Sequence, residues 1–186
     1  MSFINADYSK NQENSFEPLP EGNYEVLIQQ AQERTTQNGA ESLQLRLVVR
    51  NDLDAALPDT NGKYHNRVIF MDNWKRKKTN QYDMDGLQYI LEAAKIPEGT
   101  QLNSVEDFCN ALKMKPVNVY TKIQKSDGYD PRNTIAPWGV SVTDYPQVAH
   151  KFKKGDQDQV FNRGDVSDPF KNDGQPIDIS NEDLPF

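Results

Sequence analysis

The stretch "SLQLRLVVRND" constrains the fold most. Leu43, Leu45, Leu47 and Val49 alternate with Gln44, Arg46, Val48 and Arg50. Successive side chains of a β-strand point to opposite faces, so a period of two predicts a strand with an apolar side and a more polar, basic side. The preceding stretch, "GNYEVLIQQAQERTT", sets Tyr24, Val26 and Ile28 against Glu25, Leu27 and Gln29, a second strand pattern. Asn38-Gly39 lies between the two and tolerates the positive φ angles of tight turns, which predicts a hairpin.

A polar loop leads from there to a third strand pattern, "KYHNRVIFMDNW". The period then changes. In "YDMDGLQYILEAAKI", Leu87, Ile90, Leu91 and Ala94 fall at i, i+3, i+4 and i+7, one apolar face of a helix that Pro97 and Gly99 end. Ser104 is positioned to cap a second helix, "SVEDFCNALK". Val117, Val119, Thr121 and Ile123 alternate in a fourth strand, and "NTIAPWGVSVT" reads as a fifth, with Pro137 demoting its middle to an edge or a bulge. Three strands, helices and two strands predict a mainly β protein: a five-stranded OB-fold barrel with a helical insertion between strands 3 and 4. A parallel sheet would need a crossover after nearly every strand. The expected organisation is an N-terminal arm at 1–20, the OB-fold domain at 21–145 and a disordered acidic tail at 146–186. The last part of that tail, from Gly155, has no periodicity and is rich in Asp, Gly, Asn, Gln and Pro.

Charge has to be divided by position before it argues anything. The net charge of −7 suggests a poor nucleic-acid binder, but from Gly155 onward eight Asp/Glu face only Arg163 and Lys171. The preceding residues are close to neutral. Cys109 is the only cysteine, which excludes an intramolecular disulfide and a cysteine-based metal site, and its place between Phe108 and Leu112 predicts a packing role. The opening "MSFINADYSK" lacks the apolar core of a signal peptide and no stretch is long and apolar enough for a membrane span, so a cytoplasmic location is expected.

Chemistry-bearing residues are few. His65, read in the third strand beside Tyr64, and His150 are the only histidines, and neither stands at metal-ligand spacing. No phosphate loop or activated-serine motif is present. Asp83 and Asp85 at a helix start suit the helix dipole. No enzyme activity, metal or cofactor is therefore expected. Binding has more support. "NWKRKKTNQY" gathers Trp74, Lys75, Arg76, Lys77 and Lys78 after the third strand. Cations follow phosphates while flat rings stack on bases of any sequence, as a single-strand groove requires. Arg46 and Arg50 on the second strand, Arg67 on the third, Tyr120 and Lys122 on the fourth, and Tyr129, Arg132 and Trp138 near the loop joining strands four and five complete the expected site. In OB folds the face of strands two and three, with the first-second and fourth-fifth loops, binds oligonucleotides.

The final residues, "DISNEDLPF", resemble the C-terminal tip of bacterial single-stranded DNA-binding proteins, an acidic stretch ending in an apolar pair with proline and a terminal phenylalanine. That resemblance implies that Asp183, Leu184, Pro185 and Phe186 dock replication, recombination and repair proteins. Phe186 would fill an apolar pocket while its α-carboxylate meets a basic residue. "FINADYSKNQENSFEPLPEGNYEV" and "MDGLQYILEAAKI" resemble an uncharacterised phage family of single-stranded DNA-binding-like proteins with a predicted OB domain. The location would then be the host cell cytoplasm, and the function sequence-tolerant single-stranded DNA binding in phage replication or recombination. The number of subunits is left open, a homo-oligomer included. The competing reading is a protein-interaction adaptor or virion module without DNA binding.

Overall fold

A computed structural model describes residues 17–152. The longest strand, β1 (Gly22–Thr35), sits at the centre, because it is apolar enough on both faces to be covered on both. It pairs antiparallel with β2 (Glu41–Val49) along Val26 to Thr35 and with β4 (Pro116–Ser126) along Gly22 to Leu27. The register shifts between Ile28 and Gln30, a bulge that bends the strand as it passes from one partner to the other. β3 (Val68–Trp74) lies outside β2, and β5 (Tyr129–Thr134) lies outside β4. A short β6 (Val140–Ser141) also pairs with β4.

The result is a mainly β protein with an antiparallel sheet of six strands, ordered β3-β2-β1-β4-β5 with β6 beside β4. It is not closed. Among the described residues no ladder joins β3 to β5, although these two edges approach each other.

Two strand expectations need correction. The stretch 133–143 is not one strand: β5 begins four residues earlier, a tight turn occupies Pro137–Gly139, and β6 follows. The reason is Asp127-Gly128, where Gly128 adopts φ +79° and folds β4 directly onto β5. The third strand also starts later than expected. Lys63 and Tyr64 lie in a helical turn, and His65, expected in a strand, follows it and pairs with Asp54 at 3.0 Å.

The inner face carries the core: Val26 and Ile28 of β1, Leu43, Leu45, Leu47 and Val49 of β2, Ile69 and Met71 of β3, and Val117 and Val119 of β4. Two helices between β3 and β4 complete it. α1 (Met84–Ala93) contributes Leu87 and Ile90, and α2 (Val105–Leu112) contributes Phe108, Cys109 and Leu112. Each such buried side chain contributes about 1.5–3 kcal/mol. The expected cap on α2 forms, with Ser104 accepting the Asp107 amide at 3.0 Å. Burial pushes the Cys109 thiol up, away from the reactive thiolate.

A second, more polar layer covers the other side of β1 and β2. Asn61, fully buried in the β2–β3 connector, accepts the Glu25 amide at 3.1 Å and donates to the carbonyls of Glu25 and Arg50 at 2.8 and 3.0 Å. Residues 143–151 form a strap on this side. Residues 146–151, expected to begin the disordered tail, are instead tied down: the Ala149 amide donates to Asp52 at 2.8 Å, and Asn51 exchanges hydrogen bonds with Lys151. Residues 153–186 of the expected tail, including Asp183 to Phe186, and residues 1–16 of the arm lie outside the described residues.

Candidate nucleic-acid interface

β3 alternates cleanly, with Ile69, Met71 and Asn73 buried and Phe70, Asp72 and Trp74 exposed. Phe70 and Trp74 are each 49% exposed, a large apolar area for one strand face. The register sets Arg46 beside Phe70, Gln44 beside Asp72 and Ser42 beside Trp74. This face forms one wall of a groove of about 730 Å³ running between the open edges. Pro131, Arg132, Asn133 and Thr134 of β5 and Gln124 of β4 form the other wall.

One end of the groove is bounded by Glu17 and Pro18, which the fold holds in place from both walls. Arg67 donates to the Glu17 carbonyl at 2.6 Å. Asn133 accepts the Leu19 amide at 2.7 Å and donates to the Leu19 carbonyl at 2.8 Å, so the arm's last residues bridge the gap between β3 and β5. Arg132 reaches Gln124 Oε1 at 3.2 Å but stays exposed. Arg46 donates to Gln29 on the outer face of β1 and β2. Within the groove, Arg67 and Arg132 stand against Glu17 and Asp72, a balanced lining.

The expected site residues thus divide. Arg67, Trp74 and Arg132 line the groove and Arg46 adjoins it. Arg50 does not belong to a binding face, and this is a correction: it is completely buried. Its guanidinium makes two parallel bonds to Asp52, at 2.6 and 3.0 Å, and donates to the carbonyls of Tyr145 and Gln147 in the strap. Burial pushes the Asp52 carboxyl up, but the Arg50 guanidinium and the Ala149 amide outweigh it and hold Asp52 below its ordinary range.

Lys75 is largely withdrawn as well. It sits between Glu41 at 2.5 Å and Glu33 at 3.0 Å, with its ammonium 5.0 Å from the Tyr82 ring centre. The Tyr82 hydroxyl donates to Glu33 at 2.6 Å. Burial and that bond push the Tyr82 phenol up, while the Tyr82 and Lys75 hydrogen bonds hold Glu33 down. Arg76 pairs with Asp83 at 3.0 Å on the surface. Among the described residues Lys77 and Lys78 have no ion pair, so they are the accessible part of the basic run. Tyr120, Lys122, Tyr129 and Trp138 are exposed but do not line the groove, and the turn carrying Trp138 packs against β4 beside Tyr120.

A profile of the DUF669 family, described as a protein of unknown function, matches residues 4–160. The chain belongs to the DUF669 family. A search of curated proteins finds no match. In this DUF669 member the groove uses residues that the sequence reading passed over, namely Phe70, Asp72, Gln44 and Gln124. Phe70 and Asp72 had a signal: if Ile69 and Met71 face the core, the residues between and after them face out. Gln124 had none, since its place depends on the approach of β5 to β3. Among the described residues no helix is long and apolar enough to cross a membrane, and no three His, Cys, Asp or Glu residues are grouped to hold a metal ion.

Proposed function

We propose that the groove between β3 and β5 binds single-stranded DNA without strong sequence preference, as part of phage replication or recombination. The observation that carries this is the pair of half-exposed rings, Phe70 and Trp74, on one strand of a groove flanked by Arg46, Arg67 and Arg132. Base stacking on aromatic side chains contributes about 1–3 kcal/mol per base, and arginines bind the phosphates. In this reading the sheet is a five-stranded OB-type barrel opened between β3 and β5, with β6 an added pairing. The helices between the third and fourth strands support that, as does a groove combining the β2–β3 face with the β4–β5 hairpin. Asp183, Leu184, Pro185 and Phe186 are proposed to recruit replication, recombination or repair proteins, on the strength of the tip's resemblance.

The balanced charge of the groove lining favours a second reading, a protein-interaction adaptor that takes a peptide there. Fluorescence anisotropy of labelled oligo-dT separates the two. The proposal expects binding at low salt, weakened about ten-fold by Phe70→Ala or Trp74→Ala and unchanged by Trp138→Ala. Absence of binding at low salt would leave the adaptor reading.

A further inference from the structure

Between the two rings lies a carboxylate, and a nucleic-acid groove has no use for one against a phosphate. Asp72 is exposed on the same face of β3 as Phe70 and Trp74. Its Oδ1 accepts from the Ser42 hydroxyl at 3.3 Å and from the amide of the buried Gln44 at 3.1 Å. Two neighbours on β2 therefore fix its orientation. Among the described residues Oδ2 accepts no hydrogen bond, and no cation pairs with Asp72.

Phe70 and Trp74 are four residues apart on one strand, so their attachment points are ~13 Å apart. Stacked bases rise only about 3.4 Å each along a strand. On the single-strand reading, two bases held on the two rings are therefore not stacked neighbours, and the span leaves room for a further base between them, over Asp72. A carboxylate there can only accept. It is complementary to an exocyclic amine, such as the cytosine N4 donor, and opposed to the carbonyl that thymine carries at the same ring position.

We infer that Asp72 makes the groove discriminate between pyrimidines, accepting a hydrogen bond from the cytosine amine and disfavouring thymine at the position between the rings. This inference rests on the single-strand reading above. It gives an otherwise sequence-tolerant groove one position of base preference, by repulsion of the wrong base as much as by attraction of the right one.

The test compares labelled oligo-dC and oligo-dT of equal length on the full chain by anisotropy, slightly above neutral pH, with the wild type and Asp72→Asn. The wild type is expected to bind oligo-dC roughly three- to ten-fold more tightly. Asp72→Asn, which can donate to the thymine carbonyl, is expected to bring the ratio close to one. The ratio is the readout, because removing a negative charge strengthens binding of both oligonucleotides. Equal or weaker binding of oligo-dC by the wild type overturns the inference and leaves the single-strand reading intact, as does a ratio that survives Asp72→Asn. Binding of neither oligonucleotide at low salt overturns both.

Discussion

Arg50 shows how one side chain changes meaning with its surroundings. Its guanidinium is fully withdrawn from water, and the Asp52 carboxylate and two strap carbonyls satisfy it. Truncating one partner of a buried pair leaves the other charge uncompensated, so Arg50→Ala should cost about 3–5 kcal/mol by urea unfolding. Arg50→Met, which fills the volume without a charge but still strands Asp52, should cost nearly as much, whereas the double change with Asp52→Leu should recover part of the loss. None should alter oligonucleotide affinity in folded protein, because the groove does not include Arg50. Asn61 makes a parallel case without charge. Asn61→Ala strands the Glu25 amide and the Arg50 carbonyl, while the Glu25 carbonyl keeps the Arg50 amide, and at about 1–3 kcal/mol per unsatisfied group it should unfold the chain at markedly lower urea. The alternation of β2 correctly separates Arg50 from Leu47 and Val49, yet a period of two cannot say whether the outer face meets water. That depends on residues 143–151, about a hundred positions further on, which no local pattern links to Arg50.

At the scale of elements, the strap and its attachment carry a pH dependence. His150 Nδ1 accepts the Asn51 amide at 3.1 Å, which only the unprotonated ring nitrogen can do. Burial lowers the His150 pKa, with the Arg50 charge acting in the same direction and Asp52 and Asp54 opposing. The unfolded chain, titrating near the ordinary 6.5, therefore takes up the proton first. The strap's contribution is complete above that pH and is lost as pH falls through the depressed folded value. Asp52 adds a further loss of the same sign only in the more acidic range, below its ordinary 3.8. The urea midpoint should fall between pH 7.5 and pH 5, and His150→Gln should remove much of that fall; an identical pH profile in the variant would show that the strap does not depend on His150. Elements with a continuous hydrophobic period were legible from sequence: β1, β2, the α1 face through Leu87 and Ile90, and the Ser104 cap. β5 was not. Its residues, "YDPRNT", are almost all exposed and carry no apolar alternation, so only the turn chemistry of Asp127-Gly128 marked it.

For the whole molecule, the decisive quantity is where charge sits and not its sum. Few cations reach the groove: Arg67 and Arg132 line it, Arg46 adjoins it, and Lys75 and Arg76 are paired elsewhere. Each phosphate neutralised on a single strand contributes a slope of about −0.7 to log K against log salt, so three arginines give roughly −2. That is shallow for a nucleic-acid binder and follows from stacking carrying much of the affinity. Residues 155–186 hold eight acidic and two basic side chains, and we propose that this charge competes with phosphate for the same arginines. A chain ending at Lys154 should therefore bind oligo-dT more tightly at low salt, and the gain should vanish as salt screens the competition over distances beyond about 10 Å. The truncated chain consequently shows the steeper slope, near −2, and the intact chain a shallower one. Coincident slopes for the two chains would mean that the acidic residues never compete for the groove. A common slope well beyond −2 would mean that phosphates are also followed by cations outside it, with Lys77, Lys78 and Lys122 the first to replace, since all three are exposed.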